Sequence, residues 1–189
     1  NFKNSTHVTM MKSSGKKVAF FVFFMLFAHV TTTQAQTDAD PEPPRADVPL
    51  IESFIYYADT RNAALRSVKR GFAAGLSTHQ LALEILRELI LGPAVSGLEQ
   101  TWPKAVNVNA LFITDDKKAV VDLHVPDAAT ADMDTRSELL AVYSLVNSLT
   151  VNIFEIEAVK ILINGKDAET LAGHIDLETY YKTNMLIVK

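Results

Sequence analysis

The sequence has no cysteine in its 189 residues. That excludes disulfides, a thiol nucleophile, thiolate-ligated zinc and a lipid attached through an N-terminal cysteine. A domain of this length can bury roughly two-thirds of the surface its unfolded chain exposes, so it holds together without such staples. Clustered positive charge is scarce too. Lys3, Lys12, Lys16 and Lys17 precede residue 36 and no acid does; the remainder carries 14 basic and 22 acidic side chains, a net charge of −8. An acidic body excludes an electrostatic grip on nucleic acid or on anionic lipid, both of which demand clustered Lys and Arg. The one basic cluster, Arg61, Arg66, Lys69 and Arg70, is small and reads as a solvated strand face.

A membrane-spanning run is missing as well. The apolar stretch Val18–Val30 reaches only about 20 Å as a helix, short of a hydrocarbon core of roughly 30 Å. What is there instead is the pattern of a secretory signal peptide. Lys12, Lys16 and Lys17 form a basic start, the apolar stretch follows, and Thr33-Gln34-Ala35 supplies small residues for cleavage. Residues 1–35 are therefore expected to be a leader, with residues 1–9 preceding a start at Met10 or Met11. Cleavage after Ala35 would leave the body outside the cytoplasm. Residues 36–49, QTDADPEPPRADVP, read as a disordered spacer because they have almost nothing to bury against their ordering entropy.

From Leu50 onward the patterns are those of a folded domain, residues 50–189. Leu50–Tyr57 and Ala64–Arg70 read as strands joined by turn chemistry at Ala58–Asn62. Ser77 and Gln80 make a capping box for a helix from Thr78 to Leu91, which Gly92-Pro93 stops. Val106–Thr114 and Ala119–Val125 form a second hairpin around Asp115–Lys118. The acidic loop with Asp127, Asp132 and Asp134 lacks a calcium loop's spacing and places negative charge before a helix N-terminus. Thr135 and Glu138 read as a second capping box, opening a helix to Leu149 that is expected to bury Leu139, Val142, Val146 and Leu149 on one face. Ala158–Ile163 and Lys166–Leu171 flank Asn164-Gly165, the strongest short-range hairpin signal, since a type I′ turn needs φ > 0 at both central residues. The order ββαββαββ predicts an α+β fold: a two-layer sandwich with a mixed, mostly antiparallel sheet and two helices on one face.

Catalytic motifs are also absent. Asn164-Gly165-Lys166 is no phosphate loop, because Lys160 and Asp167 stand where Gly and Ser or Thr belong. Asp122 and His124 lie two apart on one strand and offer at most two metal ligands. His174, between Gly173 and Asp176, would need a nucleophile to act as a base, and the sequence nominates none. A histidine at a strand end, hydrogen-bonded to backbone, is the plainer reading. Trp102 beside Pro103 suits either packing or stacking on a sugar ring. No cofactor is expected.

Several landmarks occur together: Leu89-Ile-Leu-Gly-Pro93 with Gly97-Leu98 and Pro103, Ala119-Val-Val-Asp-Leu123, Asn147-Ser-Leu-Thr150, Val159-Lys-Ile-Leu-Ile-Asn-Gly165 and Leu171-Ala-Gly-His174. In this order the body, about Leu50 to Leu177, resembles the GerMN domain of sporulation, spore-germination and other bacterial envelope proteins. The resemblance implies an exported, non-enzymatic α/β module related to ring-building domains of envelope-spanning complexes. Its partners would be an envelope protein complex or peptidoglycan, with self-association into a homo-oligomer left open. It implies no role with nucleic acid and no membrane insertion of the body. The motif positions it singles out are Gly92, Pro93, Pro103, Asn147, Thr150, Gly165, Gly173 and His174, as structural or interaction residues. Many members carry a lipidated cysteine, hold two copies of the domain or join it to an amidase; this chain departs from all three patterns. The alternative is a small periplasmic hydrolase or metal-dependent enzyme using His174, Asp176, Asp122 or His124.

Overall fold

Ten residues of β1, Leu50–Asp59, pair antiparallel with all ten of β2, Ala64–Ala73, in unbroken register from Leu50–Ala73 to Asp59–Ala64. The computed structural model describes residues 49–189, so the expected leader and residues 36–48 of the expected spacer lie outside the described residues. A two-residue strand β3, Leu98–Glu99, joins the other edge of β1 and completes a sheet of order β2-β1-β3. The second sheet has order β4-β5-β6. There β4, Asn107–Ile113, runs antiparallel to β5, Lys118–His124, with a bulge between Val108 and Ala110. The third strand, β6, Ala158–Ile163, runs parallel to β5.

Parallel neighbours require a crossover, and here a helix supplies it. That helix is α2, Thr135–Thr150; the other, α1, is Thr78–Leu91. The helices pack against each other, α1 also against β1 and β4, α2 against β1, β2 and β6, so both belong to one layer. The α+β class with two helices over mostly antiparallel strands is as the sequence predicts. Between the layers lie Ile55 and Tyr57 of β1, Ile85 and Leu89 of α1, Val121 and Leu123 of β5, Leu145 and Leu149 of α2, and Ile161 of β6. Burying each such side chain contributes roughly 1.5–3 kcal/mol.

Helix α1 begins as expected. Ser77 Oγ accepts from the Gln80 N–H and Gln80 returns the bond to the Ser77 N–H. For α2 the expected capping box does not form. The cap is Asp134, whose carboxylate accepts from the Ser137 N–H at 2.8 Å. Glu138, freed from capping, is fully buried. The Ser137 N–H holds the Asp134 carboxyl below its usual range, with Arg136 and His174 adding their charge. Because the folded value lies below the unfolded one, the stabilisation is complete above the ordinary carboxylate range and is lost as pH falls through the depressed value. Asp134→Asn keeps a good cap that does not titrate. Thermal midpoints measured from neutral pH downward should therefore show the parent losing its advantage over this variant on acidification.

The final hairpin is corrected. Asn164 and Gly165 do turn with φ of 54° and 75°, as a type I′ turn requires. Beyond them, however, only isolated bridges form, Ile163–Lys166 and Thr170–Asp176, and Lys166–Leu171 is not a strand. Side chains pin the turn to β5: Asn164 bonds both the N–H and C=O of Val125, and Asp122 takes the Gly165 N–H at 2.7 Å. The outer edge of β6 is filled from farther along, where Val159 and Tyr181 exchange both backbone bonds at 2.8 Å. The same C-terminal segment then reaches the first sheet, where Val188 bridges Leu65 and the Lys189 N–H donates to the Leu65 C=O.

Candidate functional site

The last turn of α2 collects more polar contacts than any stretch the sequence reading marked. Its apolar residues, Leu145 and Leu149, face the core, which leaves Asn147, Ser148 and Thr150 to meet whatever backbone lies beside them. Asn147 is fully buried and clamps Asn184 on both sides: its Nδ2 donates to the Asn184 C=O and its Oδ1 accepts from the Asn184 N–H, each at 2.9 Å. Ser148 Oγ accepts from the Tyr56 N–H at 3.0 Å. One turn on, Asn152 exchanges bonds with the N–H and C=O of Phe54 at 2.8 and 2.7 Å. These two side chains thus satisfy the edge of β1 that β3 does not reach. Thr150 donates to the Val146 C=O and accepts from the Thr183 hydroxyl at 2.7 Å.

Near the start of the same helix, Glu138 turns inward. One carboxylate oxygen accepts from the N–H groups of Leu171 and Ala172, the other from the N–H of His174, all at 2.9 Å. Gly173 lies between them with φ of 95° and donates to Thr170 Oγ1. The backbone of His174 is therefore held, as a hydrogen-bonded strand-end residue would be, but its imidazole is exposed. Asp176 is exposed as well and accepts from the Glu178 N–H.

Asp122 and His124 do not act as a pair. Asp122 is buried, with one oxygen taken by Gly165 and the other by Asn109 Nδ2, whereas His124 is exposed. Among the described residues no three His, Asp or Glu side chains gather as a metal would require. The basic cluster is neutralised by carboxylates: Arg61 and Arg66 lie 3.5 and 3.6 Å from Asp59, Lys69 is 2.9 Å from Glu52, and Arg70 bonds Glu88. Gly92 ends α1 with φ of 89°, donating to the Glu88 C=O, to which the buried Tyr57 hydroxyl also donates. Burial is the main cause that holds the Tyr57 phenol well above its ordinary value. Pro93 follows at the break, and the Pro103 C=O accepts from the Val106 N–H. Trp102 packs in the core at 1% exposure, so it does not offer an open ring to a sugar.

An open groove of about 450 Å³ lies beside the last turn of α2. Ile156 is buried at its base and Phe154, 81% exposed, stands along it. Thr150, Thr183, Glu157 and Lys182 complete the lining. Lys117 Nζ sits 4.0 Å from the Phe154 ring centroid and 2.8 Å from Glu157. The Glu157 carboxyl is held below its usual range by the Lys117 hydrogen bond and charge, with Lys182 adding to it. Sequence reading passed over Phe154 because a lone aromatic in a short connection carries no period. The motif residue Thr150 was its only pointer to this place.

Comparison with known proteins gives this arrangement a context. Residues 54–169 match the family model described as Germane, sporulation and spore germination. The fold is shared with the first GerMN domain of the sporulation protein GerM from Bacillus subtilis, at 20% identity and a TM-score of 0.54, covering 71% of this chain and 98% of that one. A Clostridium perfringens protein described as a lipoprotein has 20% identity and a TM-score of 0.50, over 71% of this chain and 89% of its own. Against the tandem GerMN domains of GerM the values are 16% and 0.55, over 74% of this chain and 48% of that one, so this chain spans about half the tandem. None of the curated proteins matches.

Proposed function

Because the chain belongs to the Germane family of sporulation and spore-germination domains, we propose that it is a non-catalytic module of a bacterial cell-envelope assembly. In this reading the leader exports the body, which then binds an envelope protein complex or peptidoglycan. One observation carries it. The buried or half-buried polar side chains at the motif positions Asn147 and Thr150, together with Asn164, Asp122 and Glu138, make their hydrogen bonds within the chain itself. Groups held that way rigidify a scaffold and are not poised to exchange protons with a substrate. The description of the C. perfringens relative as a lipoprotein accords with a place at the envelope. Among the described residues no helix is long and apolar enough to cross a membrane.

The test is to present the purified chain to isolated cell wall and, separately, to detergent-extracted envelope proteins. Retention by one or both is expected. Recovery of neither, or hydrolysis of wall material by the chain alone, would overturn the proposal.

A further inference from the structure

The groove beside the last turn of α2 carries the strongest chemistry that the rest of the molecule does not use. Its hydrogen-bonding capacity can be counted. Thr183 gives its only hydroxyl proton to Thr150, so its oxygen keeps acceptor capacity towards the groove. Glu157 uses Oε1 for Lys117, which leaves Oε2 as an acceptor. Lys182 is exposed and, among the described residues, forms no ion pair, so its ammonium is a donor without a fixed partner. Lys117, Glu157 and Lys182 together leave one positive charge, on a body whose net charge is negative.

The Phe154 ring, well exposed although Lys117 lies over one face, stands beside alternating donors and acceptors and suits a ligand with one face of C–H bonds and a rim of hydroxyls. A sugar ring has that form. The uncompensated ammonium adds a preference for an acidic group, because a charge-assisted hydrogen bond is about twice as strong as a neutral one. Two other kinds of occupant fit less well. An extended peptide would need an unpaired strand edge, and the β6 edge is already paired with Tyr181 at Val159, two residues from the groove residue Glu157. An amphipathic helix would need a broad apolar trough, whereas Phe154 and Ile156 are the apolar side chains here.

We propose that the groove lined by Phe154, Lys182, Glu157 and Thr183 is a binding site for a carboxylate-bearing saccharide, with the sugar stacked on Phe154 and its carboxylate on Lys182. This rests on the envelope reading and names the ligand class within it. The wall glycan and a free acidic sugar share the required chemistry, and the two are separated by the probes used.

The full-length chain, purified in mild detergent, is tested by co-sedimentation with insoluble wall sacculi. Soluble muramic-acid-containing oligosaccharides and neutral chito-oligosaccharides of equal length serve as competitors. Phe154→Ala should weaken retention at least about fivefold through loss of the stacking face, with only a small fall in thermal midpoint, because the ring is solvent-facing and loses no more than its exposed contact with Lys117. Lys182→Ala should weaken it about tenfold towards the acidic competitor and little towards the neutral one, the signature of a lost charge-assisted bond. Competition by the acidic fragment identifies the glycan as source. Binding of free acidic sugar without sedimentation on sacculi supports the site but assigns it to a soluble ligand. Retention that neither substitution alters overturns the proposal. So does capture of envelope proteins with no saccharide bound, an outcome that leaves the envelope function standing.

Discussion

Glu138→Ala should lower the unfolding free energy by about 3–5 kcal/mol, the largest single-residue loss anticipated outside the apolar core. The carboxylate is fully buried and is the acceptor for three backbone N–H groups, those of Leu171, Ala172 and His174. Removing it strands donors that cannot all reach water, and each such donor costs about 1–3 kcal/mol. The figure lies below the simple sum because Ala172 and His174 are only partly covered and can recover hydration. Glu138→Gln separates charge from shape. It keeps one acceptor oxygen and sets an amide N–H against a backbone N–H, so it should lose about half as much. Urea unfolding measures both variants. Amide exchange at Leu171, Ala172 and His174 should accelerate before any other described region responds. A loss under about 1 kcal/mol for the alanine variant would mean that solvent replaces the carboxylate, and that the 171–174 segment is not held as described.

Asn147→Leu is the second large effect, expected at about 2–4 kcal/mol. Leucine keeps asparagine's branching and heavy-atom count, though it is bulkier, and improves helix propensity, so α2 itself should survive. What fails is the reciprocal pair with Asn184, leaving an N–H and a C=O of the C-terminal segment without partners. Asn147→Asp retains the acceptor but sets a buried carboxylate against the Asn184 C=O, and should lose at least as much as the leucine variant near neutral pH. Protease cleavage between Lys182 and Leu186 should rise in the leucine variant while the helices stay protected. Equal cleavage in parent and variant would show that the segment is secured elsewhere.

Much of the architecture was legible because its signals are local. Ser77 with Gln80, the Gly92-Pro93 stop and the Asn164-Gly165 turn each specify their conformation within four residues, and the structure realises all three. The strands β1, β2, β4, β5 and β6 follow from β-branched and aromatic runs in the same way. What failed involves partners distant in the chain. Thr135 and Glu138 have capping-box spacing, but spacing does not reveal that three N–H groups more than thirty residues later compete for the same carboxylate. Lys166–Leu171 follows a strong hairpin turn, but its Lys, Asp, Ala and Glu are poor strand formers, and the edge it would occupy goes to Tyr181. The two-residue β3 is too short to carry a period.

The polar half of α2 was misjudged for a related reason. A helix between solvent and a sheet shows one apolar stripe, and Leu139, Val142, Val146 and Leu149 suggest one. In fact Ser144, Asn147 and Ser148 are buried along with Val142, Val146 and Leu149, because Thr101, Asn184 and the edge of β1 lie against them. Of the candidate site, Thr150 alone was marked in advance. Phe154, Lys182 and Thr183 come from separate parts of the chain and share no spacing.

The C-terminal segment is bonded to β6 through Tyr181, to α2 through Asn184 and to β2 through Val188 and Lys189. Tension on that segment is consequently divided among three anchor points, like a guy-rope tied to separate posts, and no single strand has to bear it alone. A module that must stay intact while something pulls on Lys182 or Thr183 gains mechanical toughness from that arrangement without needing a covalent cross-link.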